Sequence, residues 1–236
     1  MANDSSLAVA ANIFASPNEA FPVIKERPKF LLPVLVLLIG YCAVSFAYMN
    51  EVDLPWFMDN QLQAGNAELT EEQREQAVAA AANVSPMFYG AIGAVSTSLI
   101  VFLWVFVTAL YYTGVSFLTN DGVRLKQWFA LLCWCTLPSV LGLLAQLVNV
   151  FAGDARFMLQ DEINPISFGN LLSIDRTGAS IVQRIMLSID ITALWSIVLT
   201  VLGYQAWTKS PMVKAVAIVL GPLAVIVAVG TLFSLT

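Results

Sequence analysis

The sequence predicts an all-α membrane protein, a five-transmembrane-helix bundle with a short interfacial N-terminal helix and a helical outer loop. Five apolar runs each have about the 20 residues that a helix needs to cross a hydrocarbon core of ~30 Å. Only 11% of the residues are charged and 58% are hydrophobic, whereas a typical soluble domain has about 25% charged residues. All five lysines also fall on one side of the membrane when the runs are threaded alternately.

The apolar runs divide the chain into two parts, an N-terminal segment at 1–29 and a five-span membrane domain at 30–236. The second run has about 31 residues and would be roughly 46 Å long as a helix, so it must tilt, project from the bilayer or break near Gly114. Pro138 lies inside the third run and predicts a bend there. The predicted spans are 30–49, 87–117, 127–152, 185–207 and 212–233.

The distribution of cationic residues predicts the orientation. If the N-terminus is inside, the inner segments hold three Lys or Arg residues before the first span, two after the second and two after the fourth. That is seven of the eleven in the chain. Lys and Arg in short loops favour the cytoplasmic side. We therefore expect a multi-pass protein with its N-terminus in the cytoplasm and its C-terminus outside.

The N-terminal segment carries a helix-start signal at 16–19, where Ser, Pro, Asn and Glu follow one another as in a capping box. Two interpretations remain open: a kinked lead-in to the first span, or an in-plane helix that grips the membrane surface. Pro22 complicates a regular helix because it removes one hydrogen bond. In the second interpretation the residues at the lipid headgroups are Phe21, Ile24, Lys25, Arg27 and Lys29.

Two further local patterns predict structure. Acidic residues at 71–75 followed by an Ala-rich stretch at 77–82 favour a helix in the first outer loop. Gly90, Gly93 and Ala94 form a small-residue surface on the second span, and such surfaces permit close approach of another helix. We favour packing over a ligand path as the role of this surface.

Asp190 is the only acidic residue inside a predicted span, about five residues and so ~8 Å from the outer end of the fourth helix. A charge within the hydrocarbon is costly unless something offsets it. Gln146 and Asn149 lie at the same depth on the third span, one helical turn apart. Three interpretations remain open: a polar cluster that locks two helices, a proton or ion site, or a helix that starts later and leaves Asp190 in water.

Several classes of function are disfavoured by the composition. The chain has no histidine, which removes histidine metal sites and histidine general bases. One span carboxylate is too few for an intramembrane aspartyl site. The net charge of −5 disfavours nucleic-acid binding. We therefore predict no enzyme activity, no cofactor, no metal site and no nucleic-acid partner.

Residues in the C-terminal half resemble the Yip family (Ypt-interacting proteins) of multi-pass membrane proteins. The motifs are Gly114-Val115-Ser116-Phe117, then Trp128 and Pro138, then Ile189-Asp190-Ile191-Thr192-Ala193-Leu194-Trp195, followed by Leu202-Gly203. The resemblance implies five spans, a cytoplasmic N-terminus and, by similarity to bacterial members, a place in the bacterial inner membrane. It also implies packing roles for Trp195 and Gly203, and makes Asp190 the matching acidic position.

The sequence as a whole favours a non-enzymatic integral membrane protein that organises the membrane or scaffolds partners. Its expected contacts are the lipid bilayer and either a second copy or another membrane protein. The alternative is a transporter or channel component whose polar path is lined by Asp190, Gln146 and Asn149.

Overall fold

The computed structural model describes residues 5–64, 69–174 and 181–233. Within these ranges the chain is helical almost throughout, with a single turn of 3-10 helix at Ala155–Phe157. The α-helices are α1 (Ser6–Ala15), α2 (Pro17–Glu26), α3 (Leu31–Glu51), α4 (Leu54–Ala64), α5 (Glu71–Ala82), α6 (Pro86–Thr119), α7 (Leu125–Cys135), α8 (Ser139–Ala152), α9 (Phe168–Leu171), α10 (Ile181–Ser188), α11 (Ile191–Thr208) and α12 (Met212–Phe233).

Five helical segments are long and apolar enough to cross a membrane, namely α3, α6, the α7–α8 pair, α11 and α12. The predicted fold class, an all-α membrane protein with five spanning helices, is confirmed. The helices that correspond to the first, second, third and fifth predicted spans begin and end within two residues of the predicted limits.

The fourth predicted span differs from the structure and is corrected here. The apolar run that begins at Ile185 is split between α10 and α11, and the chain leaves the helix at Ile189 and Asp190. Asp190 has an extended backbone, with φ −119° and ψ 177°, and its side chain caps α11. An aspartate favours this N-cap position over a helix interior because its carboxylate bonds free backbone N–H groups.

The third span bends where Pro138 predicts. Residues 136–138 interrupt the helix and separate α7 from α8. The carbonyl of Trp134 accepts a hydrogen bond from the Leu137 N–H at 3.1 Å, so the break leaves it satisfied. The second span, by contrast, is continuous: α6 runs 34 residues, ~51 Å, through Gly114 without a break.

The N-terminal helices form a hairpin that packs into the bundle against α7 and α11. On α2, Phe21 lies beside Gly203 of α11, and one turn further along Lys25 bonds the Trp207 carbonyl. The two pairs are separated by the same number of residues, so α2 runs beside α11 in the same direction.

This arrangement corrects the expectation of an in-plane surface helix. Phe21 and Ile24, expected at the lipid surface, are 0% and 1% exposed and lie in the protein core. The predicted capping box at 16–19 is not formed either, because Ser16 makes no side-chain cap bond. The apolar side of α2 is covered by other parts of the protein. The spacing of apolar residues in the sequence predicts an apolar side, but it does not show whether protein or lipid covers that side.

The first outer loop holds two helices, α4 and α5, that pack together. The helix expected over the acidic and Ala-rich stretch is α5, and its capping box is formed by Thr70 and Gln73. Asp59 on α4 forms an ion pair with Arg74 on α5 at 2.6 Å.

Candidate functional site

Asp190 is a buried carboxylate with three hydrogen-bond donors around it. Asp190 as a whole residue is only 8% exposed. Oδ1 accepts from the Thr192 hydroxyl at 2.6 Å and from the Ala193 N–H at 2.8 Å, and Oδ2 accepts from the Asn164 amide at 2.8 Å. The negative charge also stands at the positive end of the α11 dipole. Each oxygen therefore accepts at least one hydrogen bond from a protein group.

The helix opposite this carboxylate is α8, as depth matching of the third and fourth spans predicts. Gly142 of α8 lies close to it, and an added Cβ there would lie 2.8 Å from Asp190 Oδ2 and 3.2 Å from Thr192 Oγ1. Any larger residue at this position would displace the carboxylate or separate the helices. A glycine is thus what permits α8 to close over the N-terminus of α11.

The predicted direct cluster of Asp190 with Gln146 and Asn149 is not formed. Asn149 instead donates to the carbonyls of Glu162 and Ile163, at 3.1 and 3.0 Å. The side chain of Gln146 is not among the donors to Asp190, which are Asn164, Thr192 and Ala193. The physical reason is that the loop after α8 folds back between the two helices. Asn149 holds that loop, and Asn164, the residue that follows Ile163, reaches Asp190.

The returning loop is itself tightly bonded. The Phe168 N–H donates to the Ile189 carbonyl at 3.0 Å, beside an isolated β-bridge between Ser167 and Asp190. Asn170 donates to the carbonyls of Asp161 and Asn164 at 2.9 and 2.8 Å. Sequence reasoning missed Asn164, Thr192 and Gly142 as partners of Asp190. The one available signal was the Asn164-Pro165 turn pair, which predicts a turn but no partner.

A second polar constellation fastens the N-terminal hairpin to the bundle. The Trp207 indole donates to the Phe21 carbonyl at 2.9 Å, and the Lys25 ammonium donates to the Trp207 carbonyl at 3.0 Å. The same ammonium lies 5.8 Å from the centroid of the Trp207 ring, within the range of a cation–π contact. We call these residues, Phe21, Lys25 and Trp207, the hairpin latch.

Two donors on α7 complete the attachment of the segment that leads into α3. Gln127 donates to the Lys25 carbonyl at 2.9 Å, and Trp134 donates to the Lys29 carbonyl at 2.7 Å. The last carbonyls of a helix lack intrahelical donors. The Gln127 side chain provides such a donor for the Lys25 carbonyl near the end of α2. The side chains of Arg27 and Lys29 are exposed, and their contact with lipid headgroups stays a prediction.

The small-residue surface of α6 lies against α3. The Ser45 hydroxyl donates to the Gly90 carbonyl at 2.9 Å, and an added Cβ on Gly90 would lie 2.6 Å from a ring atom of Phe46. A Cβ on Gly93 would be 2.5 Å from the Ser45 oxygen, and Ala94 is buried. Backbone therefore approaches backbone along this face.

Gly203 permits a similar close approach on α11. A Cβ there would lie 2.7 Å from Leu131 Cδ1 and 3.2 Å from Phe21 Cε1. The absence of a side chain makes room for both the third span and the N-terminal hairpin. Trp195, partly exposed, contacts the hairpin through Phe14.

The fold and these contacts define a helical integral membrane protein, five spans held together by glycine contacts, a folded-back loop and a docked N-terminal hairpin. A family model described as the Yip1 domain matches residues 11–233. The chain belongs to the Yip1 family, and the resemblance drawn from its motifs is confirmed. Comparisons with curated proteins and with solved structures find no match.

Proposed function

We propose that this protein is a non-enzymatic membrane-organising protein of the bacterial inner membrane, with its N-terminus in the cytoplasm. The observation that carries the proposal is the docked hairpin of α1 and α2. It adds two helices beside α7 and α11, and its polar attachments lie at the end of the bundle where α7 begins and α11 ends. A body that is wider in one leaflet than in the other favours a curved bilayer.

The burial of the hairpin supports a permanent place for it in the bundle. Ile13, Ala20 and Phe21 are all 0% exposed, which takes these three side chains out of contact with water or lipid. The opposite side carries exposed polar residues, among them Asn18, Glu19 and Glu26. This polar side offers a surface for a second copy or for another membrane protein, in keeping with a scaffolding role.

The bonding of Asp190 supports a structural rather than a transport role. A proton or ion path needs a carboxylate that water reaches, whereas both oxygens of Asp190 accept hydrogen bonds from protein groups. The contacts therefore do not favour the alternative of a transporter or channel component that uses Asp190, Gln146 and Asn149.

Reconstitution of the full chain into phospholipid vesicles tests the proposal. We expect vesicles of smaller mean diameter, measured by cryo-electron microscopy, as the protein-to-lipid ratio rises. The double variant Lys25→Met, Trp207→Phe removes the polar contacts of the hairpin latch and should reduce the effect. Lys126→Met, which removes an exposed lysine at the same end of the bundle, is the matched control and should behave as the wild type.

Cross-linking on the same vesicles tests the scaffolding part. We expect cross-links between the polar side of α2 and a second copy or a co-purified membrane protein. Vesicles of unchanged diameter together with an absence of any cross-linked species would remove the basis of the proposed function.

A further inference from the structure

The depth of the N-terminal hairpin in the bilayer follows from its partners on α11. Phe21 lies beside Gly203, and Lys25 bonds the Trp207 carbonyl one turn further along. The 18 residues of α11 make a helix ~27 Å long, so α11 needs almost its whole length to cross a hydrocarbon core of ~30 Å. The last turn of α11, and Lys25 with it, therefore lies at the edge of the hydrocarbon.

The exposed side of α2 carries a carboxylate deeper than that edge. Asn18, Glu19 and Glu26 are exposed and share one side of the helix, because their spacing matches whole helical turns. Glu19 precedes Lys25 by six residues and so lies ~9 Å further into the hydrocarbon. A charge that faces lipid at this depth is costly, and charges within spans normally face protein or water. The polar side of α2 therefore calls for a partner that covers Glu19.

A cation of the same chain lies at nearly the same depth. The Lys25 carbonyl accepts from Gln127 at 2.9 Å, and the Lys29 carbonyl accepts from Trp134 at 2.7 Å. Trp134 follows Gln127 by seven residues on α7, so the backbone of Lys29 lies ~10 Å deeper than that of Lys25. The side chain of Lys29 is exposed, as is that of Glu19. Each copy of the chain thus presents two opposite charges at one level of the bilayer.

We propose that the polar side of the hairpin binds a second copy of this chain, with Glu19 of one copy paired to Lys29 of the partner subunit. Copies that share one orientation in a bilayer are related by an axis along the membrane normal, so residues of equal depth meet. The pair offsets the cost of both charges within the hydrocarbon. The inference rests on the proposed scaffolding function, because it names the partner of the polar side of α2.

Single-molecule photobleaching of the full chain in phosphatidylcholine vesicles tests the contact. With a fluorescent tag on each chain, we expect two-step bleaching to become more frequent as the protein density rises. Glu19→Lys and Lys29→Glu each place like charges across the interface, so the dissociation constant should rise about tenfold or more. Lys126→Glu makes the same charge change at another exposed lysine and is the matched control, which should dimerise as the wild type does.

A mixture of the two variants distinguishes a contact between copies from a defect within one copy. A Glu19→Lys chain beside a Lys29→Glu chain regains both pairs with their charges reversed, so mixed dimers should form where neither variant dimerises alone. Glu19→Gln, which keeps the shape of the side chain, should weaken the dimer without lowering the melting temperature. Single variants that dimerise as well as the wild type, or a mixture that stays monomeric, would overturn the pairing.

The diameter of the same vesicles separates this inference from the proposed function. Wild-type chains that stay monomeric at every density overturn the inference, whatever the vesicle diameter. Vesicles that keep their diameter while the protein dimerises through Glu19 and Lys29 contradict the membrane-shaping function alone and support the contact.

Discussion

At the scale of the residue, Asp190 shows how a lone carboxylate is accommodated in an apolar bundle. Its position at the start of α11 gives it a backbone donor, a hydroxyl donor and an amide donor. A fully bonded carboxylate at a helix N-terminus stabilises the helix. The same bonds tie together a span, a loop and, through the close approach of Gly142, a second span.

Replacement of this carboxylate should therefore destabilise the protein. Asp190→Ala removes the N-cap and leaves Thr192 and Asn164 without their acceptor, so we expect a loss of about 2–4 kcal/mol in the free energy of unfolding. Thermal unfolding in detergent micelles measures it. The control is Asp154→Ala, at an exposed cap whose bond to the Arg156 N–H is 3.3 Å, with an expected change within about 0.5 kcal/mol. Equal stability of the two variants would contradict the structural role of Asp190.

Two glycines on spanning helices provide a second comparison between single residues. Gly203→Ala would place a Cβ against the fully buried Leu131 and Phe21, and overpacking of this kind destabilises by about 1–3 kcal/mol. A Cβ at Gly114 meets no atom within 4 Å, so Gly114→Ala should be neutral or stabilise by up to about 1 kcal/mol. Chemical or thermal unfolding of both variants measures the difference. The packing role of Gly203 fails if the two substitutions have the same effect.

At the scale of the element, an ion pair joins the helices α4 and α5, which also pack together. The Arg74 guanidinium bonds the Asp59 carboxylate at 2.6 Å, and this hydrogen bond lowers the pKa of Asp59 below its ordinary value of 3.8. A second contact of Arg74, with Glu71 on its own helix, is longer at 3.8 Å. The ion-pair link between the two helices thus rests on Asp59.

This pair predicts how the outer helices respond to pH. Because the folded-state pKa of Asp59 is lowered, its stabilisation is complete above 3.8 and is lost as the pH falls through the lower folded value. We expect the distance between spin labels on α4 and α5 to lengthen only in strong acid. Arg74→Gln should lengthen it already at neutral pH. An unchanged distance in both experiments would show that packing alone holds the helices together.

At the scale of the whole molecule, the sequence predicts the spans but not the contacts that close them. Length and apolarity define a spanning helix, so the limits of four spans follow from local composition. The docked hairpin does not follow, because its helices are too short to span. The residues that receive its apolar side, Leu131 and Gly203, also lie more than 100 positions away in the sequence.

The surroundings of Asp190 were predictable only in part, for a similar reason. Depth along the chain correctly pairs the third span with the fourth. It cannot reveal that the loop between them turns back, so that Asn164 rather than Gln146 or Asn149 becomes the amide partner. The break before α11 was also hidden, because Ile185, Ile189 and Ile191 continue the apolar run on both sides of it.

The arrangement of the whole chain leads to a prediction about its two ends. Five spans predict that the two ends of the chain lie in opposite compartments, and the excess of Lys and Arg predicts that the N-terminal end is inside. The contacts agree with alternate threading, because the segment before α3, the start of α7 and the end of α11 meet through Lys25, Gln127 and Trp207. Reporter tags on the full chain in intact cells should find the C-terminal tag accessible from outside and the N-terminal tag accessible only after permeabilisation. Two tags in one compartment would contradict the five-span threading, and with it the placement of the hairpin in the inner leaflet.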